Sequence, residues 1–150
     1  MKYSFKEVTL KDEKLLFDWY SDPEVKKWSF NKKSISISEH KKYLREKISN
    51  KNYMMWIFLF NNNPSGIVRL NIKGNKVILS YLISGDYRGK KLSSLMLKLA
   101  INKICKKFPK VIIFAYTKPK NKISIKSLLR VGFVLNGVEE NKNIYMHKCV

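Results

Sequence analysis

The chain has 150 residues, of which 45% are hydrophobic and 13% aromatic, and its formal net charge is +20. This length and composition predict one globular domain over residues 1–150 and exclude a disordered chain. No apolar run reaches the roughly 18 residues that a membrane-spanning helix needs, and the first residues do not resemble a signal peptide. We therefore expect a cytoplasmic protein without a membrane span.

The N-terminal third predicts one strand and two helices. Residues 2–9 form the strand. Residues 12–20 predict a helix because apolar side chains recur at helical spacing, and the Ser-Asp-Pro at 21–23 ends it. A polar loop over residues 26–36 precedes a second helix that reaches from residue 38 to about residue 49.

Three apolar strands follow at residues 53–60, 66–72 and 76–83. The segments between them, 61–65 and 73–75, are rich in Asn and Gly and predict turns. Strands joined by such short turns pair with their neighbours in sequence, so the three predict an antiparallel meander.

The last third alternates helices and strands. Residues 92–107 predict a long amphipathic helix, 111–116 a buried strand, and 121–131 a short helix, before two closing strands at 133–135 and 144–150. The full order, β-α-α-β-β-β-α-β-α-β-β, indicates an α+β domain with a mixed α/β sheet. An element order does not by itself name a function.

A basic loop, residues 87–94, joins the strand at 76–83 to the long helix. It contains one glycine, two serines and three basic residues. The start of a helix presents unpaired backbone N–H groups and a positive dipole end. A strand, a loop and a helix in this arrangement predict a phosphate-binding site.

The element order, with this basic loop after the fourth strand, resembles that of the GNAT N-acetyltransferase family over nearly the whole chain. Two motifs carry the resemblance. Arg88-Gly89-Lys90-Lys91-Leu92-Ser93 occupies the position of the family's pyrophosphate loop, Arg/Gln-x-x-Gly-x-Gly/Ala. Asn121-Lys122-Ile123-Ser124 precedes Gly132-Phe133 at the interval usual in the family.

The resemblance implies a fold and an activity. The fold is a central, mostly antiparallel sheet of six to seven strands, flanked by about four helices and splayed between strands 4 and 5. The activity is transfer of the acetyl group of acetyl-CoA to a primary amine, by direct attack in a ternary complex.

The resemblance also implies where the cofactor lies. Main-chain groups of the fourth strand pair with its thioester and pantetheine arm, and the basic loop holds its pyrophosphate. Lys91 stands where a small residue is usual, and we expect it to fit with a helical φ. The implied cofactor-binding residues are Tyr81, Leu82, Ile83, Arg88, Gly89, Lys90, Lys91, Leu92, Ser93, Ser94 and Asn121.

The usual acid and base of the family are missing. Leu128 stands where many members carry an acidic tyrosine, and Ile78 stands where a glutamate base is frequent. Tyr116, at the end of a strand, is a possible replacement acid, or else an aromatic residue of the core or of its rim. His40 is the remaining candidate base because imidazole titrates near neutral pH; its alternative role is that of a surface or capping residue.

The N-terminal third resembles GNAT members that acetylate nucleotide-linked amino sugars, including enzymes of the pseudaminic acid pathway. Trp28, Phe30 and Trp56 could stack on a base or sugar beside His40, or could pack in the core. Two alternatives stay open. One is a protein or peptide N-acetyltransferase of the ribosomal-protein type, and the other is a non-catalytic basic binding module.

The net charge, the two cysteines and the oligomeric state are the remaining features of the sequence. The net charge of +20 fits an anionic partner or a compositional bias. Only four of the 31 basic residues are Arg, which argues against a specialised nucleic-acid reader. Cys105 and Cys149 are expected to be unpaired thiols, and no metal-binding pattern is present. The oligomeric state is open, and a dimer is possible.

Overall fold

A computed structural model gives the structure of the protein and describes residues 1–149. It contains seven strands and five α-helices in these residues. The strands are β1 Tyr3–Glu7, β2 Tyr53–Phe60, β3 Asn63–Lys73, β4 Lys76–Ile83, β5 Ile112–Thr117, β6 Val134–Glu139 and β7 Lys142–Lys148. The helices are α1 Glu13–Ser21, α2 Pro23–Trp28, α3 Ile37–Ser49, α4 Leu92–Lys107 and α5 Lys122–Arg130.

All seven strands belong to one sheet, in the order β1-β2-β3-β4-β5-β7-β6. Every neighbouring pair is antiparallel except β4 and β5, which are parallel. The predicted meander of β2, β3 and β4 is confirmed. The predicted mixed sheet, mostly antiparallel with a splay after β4, is also confirmed.

The splay arises because β4 and β5 pair over only four residues of each strand. Their register runs from Lys76 opposite Ile112 to Leu79 opposite Ala115. The rest of β4 stays paired with β3 up to Ile83. A gap therefore opens between β4 and β5 at the carboxyl ends of these two parallel strands.

Two apolar layers cover the two faces of the sheet. Helices α4 and α5 lie on one face, where Met96, Leu97 and Leu128 pack against the sheet. Helices α1 and α3 lie on the other, where Leu16 and Leu44 pack against β2 and β3. The second layer is smaller.

One helix was not predicted. Asp22 and Pro23 do not simply end α1; they begin α2, because Asp22 Oδ1 accepts a hydrogen bond from the Glu24 N–H (2.9 Å) and Pro23 occupies the first turn. The predicted polar loop from residue 26 is thus shortened to residues 29–36. Helix α3 begins after Ser36, which forms a capping box with Glu39.

The turn between β2 and β3 is shorter than predicted. Asn61 and Asn62 both have positive φ, 51° and 65°, which is the conformation of a tight two-residue hairpin turn. Pro64 therefore lies within β3, opposite Leu59. This is tolerated because β4 pairs with β3 only from Gly66 onward, so no neighbour on that side needs the missing proline N–H.

The C-terminal pair of strands is also displaced from its prediction. Strand β6 begins one residue later and extends to Glu139, and β7 begins two residues earlier, at Lys142. Asn141, with φ 55°, supplies the turn between them. The predicted end of the last strand, at residue 150, lies outside the described residues.

The two cysteines are joined, which contradicts the prediction of unpaired thiols. Cys105 in α4 and Cys149 after β7 form a disulfide with a Cα–Cα distance of 5.3 Å. The two positions are 44 residues apart, so no local sequence pattern indicates the pairing. The disulfide attaches the end of the described chain to α4.

Two kinds of feature are absent from residues 1–149. None of the helices there combines the length and the apolar character needed to cross a bilayer. Nor do three or more His, Cys, Asp or Glu side chains of these residues converge on a possible metal site.

Candidate active site

A cavity of about 790 Å³ lies at the splay between β4 and β5. It extends from the loop before α4, past the ends of β4 and β5, to α1, α2 and the loop before α3. Most of the predicted site residues line it, whereas Lys90, Ser94 and Trp56 do not. Those that line it are Trp28, Phe30, His40, Tyr81, Leu82, Ile83, Arg88, Gly89, Lys91, Leu92, Ser93, Tyr116 and Asn121.

The second half of β4 offers main-chain groups to this cavity. The Ser84 N–H donates to the Ser65 carbonyl oxygen (2.9 Å), so even-numbered residues of β4 bond to β3. By the alternation of an antiparallel ladder, Tyr81 and Ile83 direct their N–H and C=O groups toward β5. Strand β5 is no longer paired with β4 at this level, so these groups are available to a ligand.

The side chain of Tyr81 spans the same gap. Its hydroxyl lies 2.5 Å from Ser124 Oγ in α5. Desolvation raises the pKa of Tyr81 to about 12, although the hydrogen bond with Ser124 lowers it. The phenol is therefore neutral at physiological pH. The sequence suggested only a main-chain role for Tyr81. Strand alternation places its side chain on the same face of β4 as Val77 and Leu79, and this pattern could have predicted the position of the side chain.

The loop before α4 has two residues in the left-handed region. Gly89 has φ 75° and Lys91 has φ 62° and ψ 23°. The expectation of a helical φ at Lys91 was wrong. Lys91 is the N-cap of α4, and the chain turns into the helix here through a conformation that the family's usual glycine adopts without strain.

The start of α4 fits a phosphate group. Lys91 makes no side-chain capping bond, and the first turn carries no acidic residue. The first N–H groups of this 16-residue helix therefore have no side-chain partner. They lie next to the cavity, because Lys91, Leu92 and Ser93 line it. In the same turn, Ser94 Oγ is buried and has no partner. Unpaired donors and a positive helix end favour an anion.

Ser93 replaces the family's small residue and makes a structural contact. Its Oγ lies 2.7 Å from Ser127 Oγ in α5. Asn121 begins α5, where its Oδ1 accepts a hydrogen bond from the Ser124 N–H (3.3 Å), and it also lines the cavity. Its capping role and a contact with a ligand are therefore compatible.

Arg88 does not point freely into the loop. Its Nη2 lies 2.8 Å from Asp22 Oδ2, at the junction of α1 and α2. Partial burial raises the pKa of Asp22, but the hydrogen bonds from Arg88 and from the Glu24 N–H outweigh this, so its pKa lies below the ordinary value. The ion pair fastens the phosphate loop to the opposite wall of the cavity.

His40 is fully buried rather than exposed at the helix surface. Its Nε2 lies 3.0 Å from the carbonyl oxygen of Glu13. A carbonyl oxygen only accepts, so Nε2 carries the proton and donates. In the neutral ring Nδ1 is then a proton acceptor, and it is buried without a partner. The ring packs among Phe17, Tyr20 and Tyr43.

The predicted aromatic residues separate into two groups. Trp28 and Phe30 line the cavity; the Trp28 Nε1–H donates to Glu24 Oε1 (3.2 Å), and Phe30 is 48% exposed. Trp56 lies in the core on the α4 side of the sheet, 2% exposed. The structure therefore does not place Trp56 with the other predicted acceptor residues, because β2 turns its side chain to the opposite face.

Tyr116 lies at the splayed end of β5 and lines the cavity. Lys142 Nζ is 4.5 Å from the centre of its ring. The next residue, Thr117, has a buried Oγ1 without a partner. Leu128, at the position of the family's acidic tyrosine, is fully buried in the core and supplies no proton.

Basic side chains dominate the lining of the cavity. Glu24 is the only carboxylate among the lining residues in the described part of the chain, and its oxygen is engaged by Trp28. The basic residues are Lys26, Lys33, Arg69, Arg88, Lys91, Lys126 and Arg130. Arg69 was not singled out in the sequence.

Comparison with known protein families identifies the family of this chain. The profile of the acetyltransferase (GNAT) domain matches residues 4–134. The chain belongs to the GNAT acetyltransferase family. This GNAT domain is therefore an acyltransferase, as the resemblance implied. A search of curated proteins gives no match.

Solved structures share the fold at low sequence identity. Spermidine N-acetyltransferase from Vibrio cholerae, in complex with CoA and spermine, is 14% identical, with a TM-score of 0.86 over 96% of this chain and 92% of that one. RimL, a ribosomal L7/L12 α-N-protein acetyltransferase in complex with CoA, is 12% identical, with a TM-score of 0.87 over 99% and 94%. The aminoglycoside acetyltransferase AAC(6')-Ib with acetyl-CoA is 16% identical, with a TM-score of 0.82 over 97% and 92%.

Proposed function

We propose that this GNAT domain transfers the acetyl group of acetyl-CoA to the primary amine of a nucleotide-linked amino sugar. The observation that carries the proposal is the chemistry of the acceptor side of the cavity. Trp28 and Phe30 present aromatic surface there, beside the ammonium groups of Lys26 and Lys33. An aromatic and cationic wall favours a base or sugar ring joined to phosphates.

The same wall disfavours polycationic acceptors. The neighbours with this fold include a spermidine acetyltransferase and an aminoglycoside acetyltransferase. A polyamine would meet basic residues and the single carboxylate of Glu24 in this cavity. Like charges in a partly desolvated site repel each other, so we expect such amines to bind poorly here.

The cofactor fits the opposite wall. The uncapped start of α4 and the positive φ of Gly89 and Lys91 provide donors for its pyrophosphate. The free main-chain groups of Tyr81 and Ile83 provide partners for its amide-bearing arm. When bound, acetyl-CoA supplies an activated acetyl thioester. The chain then has to orient the amine, remove its proton and protonate the departing thiolate.

His40 is the proposed general base. Its Nε2–H donates to the Glu13 carbonyl oxygen (3.0 Å), which leaves Nδ1 as the acceptor nitrogen of the neutral ring. Nδ1 is itself buried, so a water molecule would have to enter the cavity wall beside it to carry the proton from the amine. Because the ring is fixed by Phe17, Tyr20 and Tyr43, the acceptor nitrogen has one orientation.

Tyr116 is the proposed general acid. It lies on β5 at the splay, where the thioester of a cofactor paired with β4 would end. The Lys142 ammonium lies over its ring, 4.5 Å from the ring centre. With Leu128 apolar and buried, Tyr116 takes the place of the usual acidic residue.

Thiol release from acetyl-CoA tests the proposal. The acceptor panel contains a UDP-linked amino sugar, the free amino sugar, spermidine, an aminoglycoside and a peptide with a free N-terminus. We expect turnover to be fastest with the UDP-linked sugar. Faster turnover with the peptide would establish the protein-acetylating alternative, and CoA binding without turnover of any amine would indicate a non-catalytic binding module.

Two variants test the catalytic residues in the same assay. Tyr116→Phe should lower kcat by about 10²-fold and leave the CoA dissociation constant unchanged. His40→Gln keeps a side-chain donor for the Glu13 carbonyl oxygen but removes the basic nitrogen, so kcat should fall at least tenfold while the CoA dissociation constant stays unchanged. An unchanged kcat would exclude His40 as the base.

A further inference from the structure

Arg69 projects from β3 into the acceptor part of the cavity. It lies on the sheet face covered by α1 and α3, opposite Ser80 of β4 in the strand register. Its guanidinium carbon is 5.1 Å from the centre of the Tyr20 ring. The uncapped start of α4 belongs to the other face of the sheet, so Arg69 is separate from the loop that fits a pyrophosphate.

The charge of Arg69 has no counter-ion in the described residues 1–149. No ion pair found there involves it. Its Nε and the Tyr20 hydroxyl are both buried without a hydrogen-bond partner. The ionisable side chains that act on it are three tyrosines, Tyr20, Tyr43 and Tyr53. A desolvated cation without a paired anion is costly to a fold, and guanidinium stays charged at any physiological pH.

The neighbouring phenol adds a second donor. Desolvation raises the pKa of Tyr20, although Arg69 acts in the opposite direction, so its hydroxyl remains protonated. Tyr43 and Tyr53 have their hydroxyls 3.5 Å apart and can satisfy each other. Tyr20 is left to donate toward whatever Arg69 binds. A guanidinium beside a phenolic O–H is a donor set for the oxygens of a carboxylate or phosphate.

We propose that Arg69 and Tyr20 form an anion-binding subsite that holds a phosphate or carboxylate group of the acceptor. The assignment to an acceptor rests on the proposed acetyltransferase function. The two residues belong to the acceptor wall, and Ser80, opposite Arg69, directly precedes Tyr81, whose main chain faces the splay. An anion at this subsite orients the acceptor so that its amine lies toward the splay.

Calorimetric binding with CoA at saturation tests the subsite without requiring turnover. UDP is the probe that carries phosphate groups, and glucuronate is the probe that carries a carboxylate. Saturating CoA occupies the site at the loop before α4, so that neither probe binds there. We expect one of the two anions to bind, and Arg69→Gln to weaken that binding at least tenfold. Arg45→Gln removes the same charge from the exposed surface of α3 and should change nothing.

Two further variants keep the test valid if Arg69→Gln does not fold. Tyr20→Phe leaves the guanidinium in place and should weaken the same anion three- to tenfold. Arg69→Lys keeps the charge but not the forked donors, and should also weaken it. The proposal is overturned if neither anion binds the CoA complex, or if Arg69→Gln or Tyr20→Phe binds as tightly as the wild type. Failure of the nucleotide-sugar proposal would show instead as absent turnover with unchanged anion binding.

Discussion

Arg88 Nη2 and Asp22 Oδ2 lie 2.8 Å apart, although 66 residues separate them in the chain. Asp22 begins α2, on the acceptor wall, and Arg88 belongs to the loop before α4, on the cofactor wall. The arginine that the sequence motif assigns to the pyrophosphate therefore also holds the two walls of one cavity together.

Asp22→Asn should weaken this link without removing the helix cap, because Asn caps a helix as well as Asp does. The pKa of Asp22 is below its ordinary value, so the carboxylate contributes stability above about pH 4 and loses it as the pH falls through the folded pKa. We expect the free energy of unfolding to fall by about 0.5–1 kcal/mol at pH 7, since the pair is partly exposed.

Urea unfolding of wild type and Asp22→Asn at pH 7 and near pH 3 measures this effect. The difference between them should shrink at the lower pH, where the wild-type carboxyl becomes protonated. A difference that stays constant with pH would mean that the charge of Asp22 contributes nothing. Asp22→Ala, which removes the cap as well, should be less stable than Asp22→Asn at both pH values.

Lys91→Gly should stabilise the loop before α4. The left-handed φ of 62° at Lys91 is strained for any residue with a Cβ, and glycine removes that strain. We expect a gain of about 1 kcal/mol in unfolding free energy, which corresponds to a rise of about 2–4 °C in Tm for a chain of this size.

Lys91→Ala is the matched control, because it removes the ammonium group but keeps the Cβ. Thermal unfolding should show Lys91→Gly to be more stable than Lys91→Ala. Equal stability of the two variants would mean that the loop is not strained. If the ammonium contacts the pyrophosphate, calorimetry should find CoA binding weakened to the same extent in both variants.

The fold was predictable wherever a long apolar run marked an element. The bounds of β2, β4 and α4 agree with the prediction, because each run is bordered by polar turn residues. Helix α2 was missed because it spans only six residues and none of its side chains is fully buried, so its sequence shows no periodic apolar pattern.

The candidate site was predictable only where a motif was local. The loop before α4 and Asn121 were found from spacing along the chain, and they line one cavity. Arg69 was missed because a single basic residue in an apolar strand has no pattern of its own. Its partner, Tyr20, lies on a helix 49 positions earlier, and only the packing of α1 on the sheet brings them together.

Tyr81→Phe should loosen the contact between β4 and α5. It removes the hydrogen bond between the phenol and Ser124 Oγ, and we expect a loss of about 1 kcal/mol. The pKa of Tyr81, raised to about 12, means that its contribution is present below about pH 10 and is lost as the pH rises toward 12.

Thermal unfolding from pH 8 to pH 11 checks both parts of this prediction. The wild type should lose stability more steeply than Tyr81→Phe above about pH 10, because only the wild type carries this phenol. Parallel pH profiles would show that Tyr81 is not desolvated. Tyr3→Phe, at an edge strand of the sheet, is the control for a generic loss of a phenol.

Reduction of the Cys105–Cys149 disulfide should lower stability by roughly 4 kcal/mol, the loop-closure entropy expected for a cross-link over 44 residues. Unfolding in urea with and without dithiothreitol measures the loss, and Cys105→Ala/Cys149→Ala should be insensitive to the reductant. Thiol titration of the denatured, unreduced protein should find no free cysteine. Two titratable thiols together with reductant-insensitive unfolding would show that the chain folds without this bond, as a protein of the reducing cytoplasm normally does.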